Sequence, residues 1–188
     1  MAVSPDKQYM VVTNSGLGEH SLQLIDLQQE VVIDQFIVPV TWIGIDFIDD
    51  RNFYISGGTT NKIFKYSIVN RKIKFEIEIA VADPWPNPVW LGGLCIDQER
   101  KMLYIVSKED KHLYIVDLNA NKLSKKIPIG AEGYTCLLSP DRNTVYISLW
   151  GGDMILPYNI ISGQLGSGIP VGNHPNDICM TRDGRFLF

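Results

Sequence analysis

Residues 139–158 read SPDRNTVYISLWGGDMILPY, a run that joins an acidic turn, a β-rich strand, a glycine turn and a second strand. The same order recurs along the chain. The acidic turn is marked by residues separated by 44, 49, 42 and 42 positions, namely Asp6, Asp50, Glu99, Asp141 and Asp183. The end of the third strand is marked by residues separated by 41, 50 and 42 positions, namely Asp26, Ser67, Asp117 and Asn159. Because the two markers keep step, the chain contains a repeat of about four short strands, the size of one propeller blade.

The repeat divides the chain into four units, residues 2–41, 42–88, 89–132 and 133–175, and residues 176–188 read as the opening of a fifth. Each unit contains β-rich runs bounded by turn formers, without helical periodicity. We therefore predict an all-β fold, a β-propeller of four-stranded antiparallel blades with about four blades present. Because the first and last runs both match an inner strand, we expect an open fragment of a larger ring. Its exposed inter-blade faces, which the remaining blades would cover, predict aggregation or oligomerisation in isolation.

Prolines and acidic turns make local predictions. Pro157 lies in the third strand predicted for unit four, where a missing backbone donor favours a bulge or distortion of that strand. Residues 81–88 contain three prolines and predict a stiff extended loop that lengthens unit two. The acidic turn residues are expected to accept hydrogen bonds from their own turns, and these are Asp6, Asp50, Asp141 and Asp183.

The three cysteines, Cys95, Cys136 and Cys179, form neither a CxxC nor a CxxCH pattern. Cys95 and Cys179 occupy equivalent positions of the repeat, whereas Cys136 is shifted by one residue and should point to the other face of its strand. We predict buried free thiols on inner strands. A disulfide between strands two units apart is not expected, because such strands are too far from each other.

Composition and motifs exclude several classes of function. The net charge of −4 gives no basic surface, so nucleic acid is not expected as a partner. No run of about 18 apolar residues predicts a membrane span. The three histidines have no metal-ligand spacing, and no GxSxG motif, Cys–His pair, phosphate-binding glycine loop or haem motif is present. We therefore expect no metal, no cofactor and no catalytic residues in this chain.

The repeat resembles the YVTN-repeat family of bacterial β-propellers, the YncE type. The matching segments combine an SPD turn, a YIVS-like strand, an IVD-like strand and an I-P-x-G strand, as in residues 4–6, 104–107, 115–117 and 169–172. Residues 12–16, 54–58 and 150–153 resemble the first blades of the bacterial group in which such a propeller precedes a metal-dependent, alkaline-phosphatase-like phosphoesterase domain. The resemblance implies a secreted or periplasmic protein with seven blades. Ser67 and Asn159 depart from the pattern, since they replace its aspartate.

One face of the predicted propeller collects aromatic residues. Loops that join strands two and three, and loops between units, lie on the same face and carry every tryptophan of the chain. The candidate binding residues for a ligand, peptide or protein at this rim of the tunnel mouth are Trp42, Trp85, Trp90, Tyr134, Trp150 and His174. In the alternative interpretation, Trp42 and Trp90 wedge between neighbouring blades. Trp85, among prolines, is expected to be the most exposed.

The sequence leads to one functional hypothesis and two alternatives. The first is a non-catalytic binding or scaffold module of a larger secreted bacterial protein. The second is part of a lactonase-like propeller hydrolase, for which the inner strands offer Asp46 and Asp97. The third is an accessory domain of a metal-dependent phosphoesterase whose catalytic domain lies outside this chain.

Overall fold

The computed structural model describes residues 1–82 and 88–188. Their strands form four antiparallel sheets arranged as four blades of a β-propeller, which confirms the predicted fold class. In each sheet the strands follow chain order from the central tunnel outward. The predicted loop of residues 81–88 falls mostly outside the described residues, as does Trp85. No helix of the described residues is long and apolar enough to span a membrane.

The strands are numbered in chain order. Blade one contains β1 (Ala2–Val3), β2 (Tyr9–Asn14), β3 (Ser21–Asp26) and β4 (Val31–Ile37). Blade two contains β5 (Ile45–Phe47), β6 (Asn52–Ser56), β7 (Lys62–Val69) and β8 (Lys72–Ala80), with a 3-10 turn at Gly58–Thr60. Blade three contains β9 (Leu91–Asp97), β10 (Met102–Ser107), β11 (His112–Asp117) and β12 (Lys122–Pro128). Blade four contains β13 (Gly133–Leu138), β14 (Thr144–Leu149), β15 (Met154–Asn159), β16 (Gln164–Leu165) and β17 (Ile169–Pro170).

The strand sequences explain their places in the blades. The middle strands β10 and β11 are apolar on both faces, because each face packs against a neighbouring blade. The outer strand β12 has the sequence KLSKKIP, and its charged residues are exposed to solvent at the sheet edge. In blades two and three the outermost strand is therefore the most highly charged one.

The cores lie between blades rather than within them. One buried cluster joins blades one and two around Phe53 and Leu22. A second joins blades two and three around Tyr114, and a third joins blades three and four around Tyr104. Among the described residues no such cluster joins blade four to blade one, and Phe188 beyond blade four is 72% exposed. The aggregation expected for the isolated chain stays a prediction.

Pro157 disturbs a different strand from the one predicted. Strand β15 pairs with β14 in continuous register through the pair Tyr146–Pro157, so the third strand is not distorted. The outer strand is interrupted instead, because β16 and β17 pair with the two ends of β15. Between them, the N–H of Gly166 donates to the carbonyl oxygen of Pro157 at 2.8 Å. The backbone nitrogen of proline carries no hydrogen, so it cannot donate to an outer strand at this point.

The cysteine prediction is correct for two of the three residues. Cys95 and Cys136 are buried free thiols, whereas Cys179 is exposed. Cys179 lies outside the named strands, next to the isolated bridge between Met180 and Leu187, and no described blade packs over it.

Most acidic turns bond as predicted. The carboxylate of Asp6 accepts a hydrogen bond from the backbone N–H of Gln8 at 3.0 Å, and Asp141 and Asp183 make the equivalent bond in their own turns. The prediction is wrong for Asp50, which accepts instead from the N–H of Asp6 in the neighbouring blade. In blade two the turn is bonded by Asp49, one residue earlier.

The face that carries these turns, called here the turn face, also holds ion pairs between blades. Arg51 of blade two contacts Asp6 of blade one at 2.8 Å. Arg142 of blade four contacts the fully buried Asp97 of blade three at 3.1 Å. Burial opposes ionisation of Asp97, but hydrogen bonds from Arg100 and Arg142 outweigh it and lower the pKa of this carboxyl. Arginine–carboxylate pairs therefore align neighbouring blades on the turn face.

Candidate functional site

The opposite face, called here the rim face, carries two separate aromatic clusters. The first, the groove cluster, consists of Trp42, Trp90 and Tyr134. Trp42 contacts the ring of Trp90 edge-on with a centroid distance of 5.5 Å, and it contacts Tyr134 in the same manner at 5.8 Å. The three residues come from the starts of blades two, three and four, so the cluster connects three consecutive blades. Trp42 and Trp90 therefore lie both on the rim face and between neighbouring blades, so the two interpretations of these residues describe one position.

Glycines on the inner strands set the spacing of this cluster. A Cβ on Gly92 would lie 2.5 Å from the carbonyl oxygen of Tyr134, and one on Gly44 would lie 2.5 Å from the carbonyl oxygen of Gly92. Real Cβ atoms do not approach backbone oxygens so closely. The absence of side chains at Gly44 and Gly92 thus allows the inner strands of three blades to converge at the tunnel mouth.

Trp90 has an unusual backbone. Its φ angle is 49°, in the left-handed region that a bulky side chain rarely adopts. Its carbonyl oxygen accepts a hydrogen bond from the N–H of Lys108 at 3.0 Å, which helps to hold this conformation. The residue is 39% exposed, so its indole ring is presented to solvent. Strained conformations of this kind are concentrated at functional sites.

A groove of about 360 Å³ lies beside the cluster. Its wall is formed by the two tryptophans together with apolar and small polar residues, namely Ser15, Gly16, His20, Val40, Thr41, Gly58 and Thr59. The Nδ1 atom of His20 accepts a hydrogen bond from the backbone N–H of Thr41 at 3.0 Å, so the proton of the neutral ring is on Nε2. The groove therefore combines an indole wall with a few polar groups.

The central tunnel opens on the other side of Trp42, as a cavity of about 680 Å³ lined by the inner strands. Asp46 lies in its wall and accepts hydrogen bonds from the backbone N–H groups of Ile96 and Phe47, each at 2.8 Å. Burial nevertheless raises the pKa of Asp46 to about 6, because these two bonds offset only part of the lost hydration. The tunnel thus contains a carboxyl group with a pKa of about 6.

The second aromatic group, the stacked cluster, consists of Trp150, His174 and Lys108. The imidazole of His174 is stacked on the indole of Trp150 with a centroid distance of 4.3 Å. The ammonium nitrogen of Lys108 lies 4.7 Å from the centroid of the same indole. The Nδ1 atom of His174 donates to the carbonyl oxygen of Trp150 at 3.0 Å, and its backbone N–H donates to Asp153 at 2.9 Å. Trp150 is therefore already in contact with a ring and a cation of the same chain.

The structure thus divides the predicted rim residues. Trp42, Trp90 and Tyr134 come together, and Trp150 and His174 form a separate pair. Trp85 lies outside the described residues.

The two carboxylates suggested for a hydrolase do not meet. Asp46 lines the tunnel, whereas Asp97 lies on the turn face and is held by Arg100 and Arg142. Within residues 1–82 and 88–188, no group of three or more His, Cys, Asp or Glu side chains could hold a metal ion.

Sequence reasoning missed the importance of His20 and Lys108. Both lie in loops that the repeat assigns to the rim face, so their side of the molecule is predictable. Their contacts are not predictable, because the repeat does not specify which side chains of one face meet. His20 bonds Thr41 within unit one, and Lys108 contacts Trp150 of the next unit.

No family model matches the chain, and no curated protein matches it. Similar solved structures exist. One is hydrazine synthase of Kuenenia stuttgartiensis, at 17% identity and a TM-score of 0.80, with coverage of 99% of this chain and 53% of that chain. A functionally unknown protein from Desulfotomaculum acetoxidans has 16% identity and a TM-score of 0.78, with coverage of 99% and 62%.

A third similar structure is that of a Bacteroides uniformis protein proposed to be a 6-phosphogluconolactonase. It has 14% identity and a TM-score of 0.77, with coverage of 98% of this chain and 61% of that chain. The structures are β-propeller-like, and at these identities the likeness shows the fold alone. The chain spans between 53% and 62% of the length of these three chains.

Proposed function

We propose that this chain is the non-catalytic binding and scaffold part of a larger secreted or periplasmic propeller protein of the YVTN-repeat type. It receives an aromatic or apolar group of a ligand or protein partner in the groove beside Trp42 and Trp90. The observation that carries the proposal is the exposed indole of Trp90, held in a left-handed backbone conformation at the edge of an apolar groove.

The chemistry of the groove favours an aromatic guest. Trp42 meets Trp90 edge-on, so the faces of the two rings are not stacked on each other. An aromatic guest gains energy from offset or edge contacts with such rings, beyond the burial of its apolar surface. The ring N–H of His20 and the hydroxyl groups of Ser15 and Thr59 supply polar contacts at the margin. A phenol or a tyrosine side chain combines these requirements.

A hydrolase function has weaker support. One similar structure is described as a proposed lactonase, and Asp46 offers one titrating carboxyl in the tunnel. The second carboxyl expected for that chemistry, Asp97, is on the turn face. A phosphoesterase role would belong to a domain outside this chain.

The test uses the full chain labelled with 5-fluorotryptophan, which reports each of its four tryptophans by a separate fluorine signal. The probes are p-cresol and N-acetyl-tyrosinamide. We expect saturable shifts of the Trp42 and Trp90 signals and no shift of the Trp150 signal. Trp90→Ala should weaken probe binding by about tenfold or more, which corresponds to about 1.4 kcal/mol.

The matched control is Trp150→Phe, which removes an indole from the same face without touching the groove. It should leave probe affinity unchanged. Equal shifts at every tryptophan, or unchanged affinity in Trp90→Ala, would contradict the proposal. Hydrolysis of glucono-δ-lactone that is lost in Asp46→Asn would support the hydrolase instead.

A further inference from the structure

The two buried cysteines meet between blades three and four. Cys95 lies on β9 and Cys136 on β13, and the side chains are 6% and 5% exposed. Their Sγ atoms are 3.7 Å apart. The two residues are on the inner strands of neighbouring blades, which is the contact between one repeat and the next.

The register of the two strands explains why the thiols face each other. Cys95 is paired with Tyr104, and Cys136 is paired with Ile147. These positions differ by one residue within the repeat, so the two side chains leave opposite faces of their own sheets. The face of β9 that carries Cys95 is toward blade four, and the face of β13 that carries Cys136 is toward blade three.

The close approach also depends on Gly93. A Cβ at this position would clash with Thr135, so only glycine allows β13 to lie against β9 here. The Sγ atom of Cys136 lies 3.7 Å from the carbonyl oxygen of Gly93 and 3.4 Å from that of Tyr104. The two thiols are therefore held near each other by backbone packing and not by a flexible loop.

Both cysteines also line the tunnel cavity of about 680 Å³. A small oxidant in the tunnel can therefore reach them, although they are shielded from bulk solvent. The hydrogen bond with Cys136, together with burial, raises the pKa of the Cys95 thiol well above its ordinary value. Thiolate is the reactive form, so reaction at Cys95 should be slow at neutral pH and faster in alkaline solution.

We infer that Cys95 and Cys136 are an oxidation site, and that a small disulfide oxidant converts them to a disulfide linking blades three and four. The oxidant disulfide accepts two electrons and two protons and becomes two thiols, while the two cysteines lose their hydrogens and form one S–S bond. A side-chain rotation must bring the sulfur atoms from their present contact to a bonded distance of about 2.05 Å. The inference does not depend on the groove or its ligand.

The experiment begins with the Cys179→Ser variant, because Cys179 is exposed and would react by itself. The folded variant is incubated with oxidised glutathione at alkaline pH, desalted, denatured and assayed for free thiols. We expect two thiols before treatment and none after it, a mass loss equal to two hydrogens, and a proteolytic peptide pair joining residues 95 and 136. The midpoint of thermal unfolding should rise by about 5 °C or more.

Two further variants supply the controls. In the Cys179→Ser background, Cys95→Ser and Cys136→Ser should each lose the linked peptide pair and the upward shift of the thermal midpoint. Persistence of two free thiols in the folded protein, under conditions that oxidise the denatured protein, would overturn the inference. So would a glutathione adduct on either cysteine without an intramolecular bond.

Discussion

The groove cluster and the stacked cluster both contain tryptophan on the rim face, yet only the groove cluster borders an open groove. In the groove cluster, Trp42 meets its neighbours by ring edges, and an apolar groove stays open beside it. In the stacked cluster, Trp150 contacts the imidazole of His174 and the ammonium of Lys108. A tryptophan on a surface loop is thus informative about binding only when its partners within the chain are known.

The largest expected effect concerns the glycine beneath the groove cluster. Gly92→Ala places a methyl group against the carbonyl oxygen of Tyr134, so β9 and β13 must separate. Overpacking against backbone should reduce the free energy of unfolding by about 3 kcal/mol. Urea denaturation measures this loss, and the fluorine signals of Trp42 and Trp90 should move while that of Trp150 stays.

Gly16→Ala is the matched control, because a Cβ at Gly16 would meet no atom within 4 Å. Its unfolding free energy should change by less than about 0.5 kcal/mol. Equal destabilisation by the two substitutions would mean that inter-blade spacing does not support the groove cluster.

The next effect concerns the tunnel beneath the groove cluster. The folded protein holds the pKa of Asp46 at about 6, above its ordinary value of 3.8. As the pH rises, the unfolded chain therefore releases this proton first, and the folded state loses about 2 kcal/mol of stability between about pH 4 and pH 7. Asp46→Asn should remove this decline because asparagine does not ionise, while its side-chain oxygen can still accept from the N–H of Ile96. Urea denaturation at several pH values measures it.

Asp46→Ala separates the charge from the hydrogen bond. It removes the acceptor of the Ile96 N–H group, so it should lower the free energy of unfolding at every pH. Like Asp46→Asn, it should abolish the loss of stability between about pH 4 and pH 7. A decline of the wild-type size in Asp46→Asn would show that another group of the protein is responsible for it.

The smallest effect concerns the stacked cluster. Trp150→Leu removes the ring that stacks on His174 and attracts Lys108, and we expect a loss of about 1 kcal/mol in unfolding free energy. Because the groove is not involved, the affinity for p-cresol should be unchanged. If Trp150→Leu weakened p-cresol binding as much as Trp90→Ala does, the two clusters would have to be treated as one binding site.

The spacing of the acidic turns is sufficient to predict the blades, because each repeat is one sheet and its loops have fixed sides. The same spacing correctly assigns Trp42, Trp90 and Trp150 to one face. It does not predict which of them meet, since that depends on how far neighbouring inner strands approach. The approach is set by Gly44 and Gly92, and glycine in a strand has several possible meanings from sequence alone.

Blade four gives a second example of a structural feature that the sequence predicts only in part. The presence of Pro157 predicts a bulge or distortion of the third strand, whereas the structure shows an interrupted outer strand. The sequence does not show on which side of β15 the disturbance occurs, because the answer depends on which neighbour its nitrogen faces. For the cysteines, a shift of one residue within the repeat predicts opposite faces, but the contact between Cys95 and Cys136 requires the relative position of two blades.

The arginine–carboxylate pairs of the turn face affect which parts of this protein can tolerate changes of sequence. Arg51 with Asp6, and Arg142 with Asp97, hold neighbouring blades together at the end of the molecule farthest from the aromatic loops. Loops at the rim can therefore be exchanged, lengthened or given new aromatic residues while the alignment of the blades is kept by the other face. Randomisation for new binding specificities should accordingly be confined to the loops around the groove.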